Sequence, residues 1–78
     1  MNTEHLKYYP NPVEHELVIS YIEDIENIEI YDVSGKRVFK QKYQDKLVKI
    51  PFATFSSGTY LTKVVTANGS QFIKIIKK

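Results

Sequence analysis

Turn-forming residues interrupt this chain about every ten residues, and the runs between them alternate apolar and polar side chains. Runs that short favour strands over helices, because a period of two places every second side chain on one face. Residues 5–9 read as a short edge strand. Pro10-Asn11-Pro12 follows, where each ring fixes its own φ and biases the residue before it away from helix, so the segment is expected to form an extended kink. Residues 16–21 alternate Leu17, Ile19 and Tyr21. Glu23, Asp24, Glu26 and Asn27 read as a polar turn. Residues 28–33 read as a strand, and Ser34-Gly35 as a tight turn in which Gly35 takes positive φ. Residues 36–43 form the return strand, Gln44-Asp45 turns again, and residues 47–50 form a strand that Pro51 ends for want of a donor. Residues 53–58 are a loop or a single 3₁₀ turn, and 59–66 a strand. Asn68-Gly69 is expected as a two-residue type I′ hairpin turn before the closing strand, 71–77.

Residue usage points the same way. Val and Ile number 16, whereas Leu, Ala and Met together number 7, and six Tyr and four Phe join the β-formers. The expected fold is all-β: an immunoglobulin-like two-sheet antiparallel β-sandwich of six to seven short strands, with a small barrel as the alternative. At 78 residues the chain, 1–78, is one domain, with residues 1–7 either a linker remnant or the first edge strand. A Rossmann unit or a barrel enzyme does not fit this length, and little apolar surface is left to line a deep cleft. Cysteine is absent, so neither a disulfide framework nor a thiolate metal site holds the fold. No apolar run is long enough for a membrane span, and no membrane insertion is expected.

Candidate chemistry is sparse. His5 and His15 flank the proline kink without a nucleophile at a useful spacing, and they read as exposed turn residues. Glu23, Asp24, Glu26 and Glu29 lack the spaced ligands of a calcium loop, so no metal is expected. The Asp32 to Lys36 stretch lacks the glycines and the following helix of a phosphate loop, and no cofactor is expected. Asn68-Gly69-Ser70 matches a glycosylation acceptor but reads first as a turn. Lys36, Arg37, Lys40, Lys42, Lys46 and Lys49 crowd into residues 36–49 beside Phe39 and Tyr43. With a net charge of only +2 they read as edge protection, not as a nucleic-acid surface. The final residues, 73–78, read either as an edge strand protected by lysines or as a terminal signal, and the second is favoured because the chain stops where its last strand is expected to stop.

The landmarks also come in a telling order. Tyr9-Pro10-Asn11-Pro12-Val13 precedes Ile28-Glu29-Ile30-Tyr31-Asp32-Val33-Ser34-Gly35-Lys36-Arg37-Val38. Ile50-Pro51 and then Ser57-Gly58-Thr59-Tyr60-Leu61-Thr62-Lys63-Val64 follow. Asn68-Gly69 and a terminal Phe72-Ile73-Lys74-Ile75-Ile76-Lys77-Lys78 complete the order. Over residues 8–78 this resembles the type A C-terminal sorting domain of proteins exported by the type IX (Por) secretion system.

The resemblance implies a role and not a reaction. Such domains end cargo proteins that reach the periplasm by the Sec route. The outer-membrane translocon then recognises the domain, and a sortase usually removes it. The cargo finishes at the cell surface or outside the cell. The implied partners are therefore translocon and sortase components and an N-terminally fused cargo domain. The positions carried over are Tyr9, Pro10, Asn11, Pro12, Gly35, Lys36, Gly58, Tyr60, Lys74, Lys77 and Lys78. Tyr60 is expected in the core, and the three terminal lysines are expected as an exposed handle that is read by strand addition or by charge. The competing reading is an immunoglobulin-like binding or adhesion module, with Tyr8, Tyr9 and Tyr43 as its aromatic platform. An enzyme is the least favoured class.

Overall fold

Alternating β-branched and aromatic side chains build five strands: β1 (Lys7–Tyr9), β2 (Glu16–Tyr31), β3 (Arg37–Pro51), β4 (Gly58–Thr66) and β5 (Gly69–Lys77), after a single 3₁₀ turn at Thr3–His5. The structure, a computed structural model, describes residues 3–78, so the expectations for residues 1 and 2 lie outside the described residues. Strand β2 organises the rest. One of its edges carries β3 along most of its length. The other takes β1 beside residues 18–20 and β4 beside residues 25–31. Strand β5 joins β4 through a hairpin and completes one antiparallel sheet.

The all-β, antiparallel expectation is met, but among the described residues the strand count is five and not six to seven. The polar turn expected at Glu23 to Asn27 lies inside β2, and the turn expected at Gln44-Asp45 lies inside β3. Both are bulges. The β2–β3 register shifts between Ser20 and Ile25 and again between Ile25 and Asn27. A bulge leaves extra residues unpaired and bends the strand without ending it, which is how polar residues fit there. It also resets the alternation: Leu17, Ile19, Tyr21 and Ile25 point inward before it, Ile28 and Ile30 after it. The inner face thus stays inward while the sheet curls.

That curling gives the molecule its core. Leu17 and Ile19 from the first half of β2 share one cluster with Ile28, Ile30, Val64 and Ile75 from the far half. The radius of gyration, 11.5 Å, equals the value of about 11.5 Å for a compact chain of this length, so the sheet is not flat. Among the described residues, no helix is long and apolar enough to cross a membrane.

The last hairpin also differs from expectation. Thr66 pairs with Gly69, so the turn residues are Ala67 and Asn68. Positive φ falls on Gly69 alone, at 130°, which excludes a type I′ pair. Asn68 Nδ2 instead donates to Glu23 Oε1 at 2.6 Å and ties the hairpin to the bend of β2.

One core position carries a stability prediction. Thr62 is fully buried, and its hydroxyl has no hydrogen-bond partner among the described residues. Thr62→Val keeps the shape and removes the unsatisfied group, so it is expected to stabilise by about 1 kcal/mol. A thermal melt should rise by about 4–8 °C. A fall would show that the hydroxyl is satisfied after all.

Candidate functional site: the proline strap and the last strand

Proline has no N–H to give to a ladder, so residues 9–13 need another way to hold the sheet edge they cross. Both Tyr9-Pro10 and Asn11-Pro12 bonds are cis, and residues 11 and 12 form a bend, not the extended kink expected. The strap lies along the outer edge of β5. Val13 makes an isolated parallel bridge to Lys77: its N–H donates to the Ile76 carbonyl and its carbonyl accepts from Lys78 N–H, both at 2.8 Å.

Two residues earlier the Asn11 side chain repeats this pattern. Its Nδ2 donates to the Lys74 carbonyl at 3.1 Å, and its Oδ1 accepts from Ile76 N–H at 2.9 Å. A carboxamide has both a donor and an acceptor, as a peptide group does, so it can stand in for the backbone pairing that the flanking prolines cannot make. The Tyr-Pro-Asn-Pro landmark and the terminal strand, more than sixty residues apart in sequence, thus form one seam.

The three terminal lysines, two exposed and one partly exposed, have different surroundings. Lys78 Nζ pairs with Glu14 Oε1 at 3.2 Å. The Lys78 hydrogen bond, followed by its charge, holds the Glu14 carboxyl below its ordinary value. Lys77 is only partly exposed, and its Nζ donates to the Lys78 carbonyl at 3.2 Å. Lys74 gives its carbonyl to Asn11, and its exposed ammonium forms no ion pair among the described residues.

The other expected positions gather at the same end of the sheet. Gly58 pairs with Lys77 across the β4–β5 ladder and has φ 153°, a backbone region that disfavours side chains. Gly35, at φ 85°, closes the β2–β3 turn. There Asp32 Oδ1 accepts from Ser34 Oγ at 2.6 Å, Ser34 N–H at 2.9 Å and Lys36 N–H at 3.0 Å. Those bonds, led by the Ser34 hydroxyl, lower the Asp32 pKa. Tyr60 is buried with its ring 5.9 Å from Phe52 and its hydroxyl 2.7 Å from the Ser56 carbonyl.

Sequence reasoning missed Val13, Glu14 and Ile76 as seam partners, because backbone pairing over such a separation leaves no local pattern. It also missed Leu61 and Phe72, exposed on the outer face of the last hairpin. The aromatic platform of the adhesion reading is not assembled. Tyr8 and Tyr9 are consecutive on β1 and so face opposite ways, and Tyr43 packs partly against the core.

A comparison with curated proteins returns no match. The profile of the secretion system C-terminal sorting domain matches residues 7–78, which takes in the strap, all five strands and the seam. The chain belongs to that family and is a sorting signal for type IX secretion.

Proposed function

We propose that the outer-membrane machinery reads the end of the sheet where the proline strap meets β5, as one folded surface. The observation that carries this is the pair of Asn11 hydrogen bonds to Lys74 and Ile76. They join the leading motif to the last strand, so on this reading the signal exists only when the domain is folded. Pro10 and Pro12 shape the strap and Asn11 anchors it, while Tyr9 stands exposed beside it. Gly35, Lys36 and Gly58 set the turns around it, Tyr60 supports it from the core, and Lys74, Lys77 and Lys78 supply its charge.

Export to the cell surface or the extracellular space follows from the family, as does an N-terminal cargo. In our reading a sortase removes the domain after translocation, and the chain itself is not an enzyme. The two halves of the curled sheet correspond to the two layers of an immunoglobulin-like sandwich, a reading supported by the core they share. The experiment is a transport assay. Residues 1–78 are fused behind a Sec signal peptide and a fluorescent reporter, in hosts with and without a working type IX system. At least tenfold more surface or medium reporter is expected in the competent host. Equal periplasmic retention in both, with the domain folded, would sink the reading.

A further inference from the structure

We infer that the outer face of β2, β4 and β5 is a docking surface for a protein of the export machinery that presents apolar side chains next to carboxylates. The inference rests on the sorting function and names the surface and the chemistry of its partner. Tyr31, Leu61 and Lys74 stand in one row across the three strands, and Glu29, Lys63 and Phe72 in the next. All point away from the core, because their neighbours Ile30, Thr62 and Ile73 point into it. Leu61 is 46% exposed and Phe72 51%. With Val33 from the adjoining turn they line an open, mostly apolar groove of about 540 Å³ that reaches Lys74.

Contiguous exposed apolar surface on a small domain marks an interaction site more often than isolated exposed residues do. Charge indicates what covers it. Glu29, at one border, is held by Tyr31 Oη at 2.8 Å and by Arg37 at 3.3 Å. Asp32, at the other, is filled by its own turn. Lys63 stands opposite Glu29, where its charge adds to the Tyr31 hydrogen bond in lowering the Glu29 pKa, and its Nζ rests 5.9 Å from the Phe72 ring centroid. Lys74, by contrast, is exposed and forms no ion pair among the described residues. The acids here are satisfied and Lys74 is exposed without an ion pair, so a partner with carboxylates beside an apolar ridge completes the surface.

Leu47 provides a matched control. It is 44% exposed, on β3 in the other half of the sheet. The test uses the reporter–cargo fusion in the type IX host, with export and the melting temperature measured for each variant. Leu61→Ser combined with Phe72→Ser is expected to cut export at least tenfold with little change in melting, while Leu47→Ser leaves export intact. Lys74→Glu is expected to lose export, and Lys74→Arg to keep it. A photo-crosslinking phenylalanine at position 61 should capture a machinery protein, and one at position 47 should not.

Unchanged export in the serine variants overturns the inference. If both export and melting fall, the crosslink decides. An adduct with a machinery protein supports the surface, and one with a second copy, with lipopolysaccharide or with nothing overturns it. A wild-type fusion that is not exported at all would instead overturn the sorting reading.

Discussion

Phe52→Ala is expected to bring the whole domain to the edge of unfolding. Phe52 heads the fully buried side chains by volume. Its ring meets Phe55 edge-on at 4.8 Å and Tyr60 at 5.9 Å and 89°. Truncating a buried Phe to Ala costs about 3–5 kcal/mol, because the lost transfer energy adds to a cavity the core cannot close. A domain of this length has about 4–12 kcal/mol in all. The position is also pinned, since Phe52 N–H donates to the His15 carbonyl at 2.8 Å and its carbonyl accepts from Phe55 N–H at 3.0 Å. The ring therefore cannot be replaced by a small shift of its loop. Phe52→Leu, which keeps most of the volume, should cost only about 1–2 kcal/mol. Urea titration followed by circular dichroism separates the two. An alanine variant with the wild-type midpoint would mean that the three rings do not form the keystone of this end of the core.

Phe52 also illustrates what was legible in the sequence. Pro51 marked the end of β3, and the residues beyond it read as a loop, but nothing local distinguished a loop phenylalanine from a core one. Period-two alternation gave the strands themselves, because a half-buried strand must alternate to bury one face. The same logic failed at Glu23 to Asn27 and at Gln44-Asp45. Polar runs there read as turns, whereas a curled sheet carries polar residues through its bends. Asp45 Oδ1 accepts from Lys46 N–H at 2.8 Å inside its strand, a local bond of the kind that also stabilises turns. Only the long-range register separates the two cases. The candidate site was legible as separate pieces in order along the chain. Their meeting was not legible, since a side chain that imitates a peptide group pairs at a distance that periodicity cannot reach.

That imitation makes Asn11 the second large effect expected. Asn11→Ala removes two hydrogen bonds, each worth about 0.5–1.5 kcal/mol net, so a loss of about 1–3 kcal/mol is expected. Asn11→Asp should fare no better at neutral pH. It still accepts from Ile76 N–H but sets a carboxylate oxygen, with no proton to give, against the Lys74 carbonyl. Amide hydrogen exchange tests the geometry directly, because successive amides of a strand face opposite edges. The Ile76 amide, which faces Asn11, should exchange freely in Asn11→Ala. The Ile73 and Ile75 amides, on the β4 side, should stay protected, and Lys78 should change least on the strap side because Val13 holds it by its backbone. Continued protection of Ile76 in the alanine variant would mean that the strap is held by Val13 alone. The expected pattern has a functional corollary, since freeing Asn11 bares part of the β5 edge and exposed edges pair with other chains. If the machinery reads strap and strand together, export of Asn11→Ala should fall further than that of Val48→Ala, a core variant of β3 away from both surfaces, or of another β3 core variant matched to it in stability. Equal export at equal stability would reduce the strap to a structural clamp.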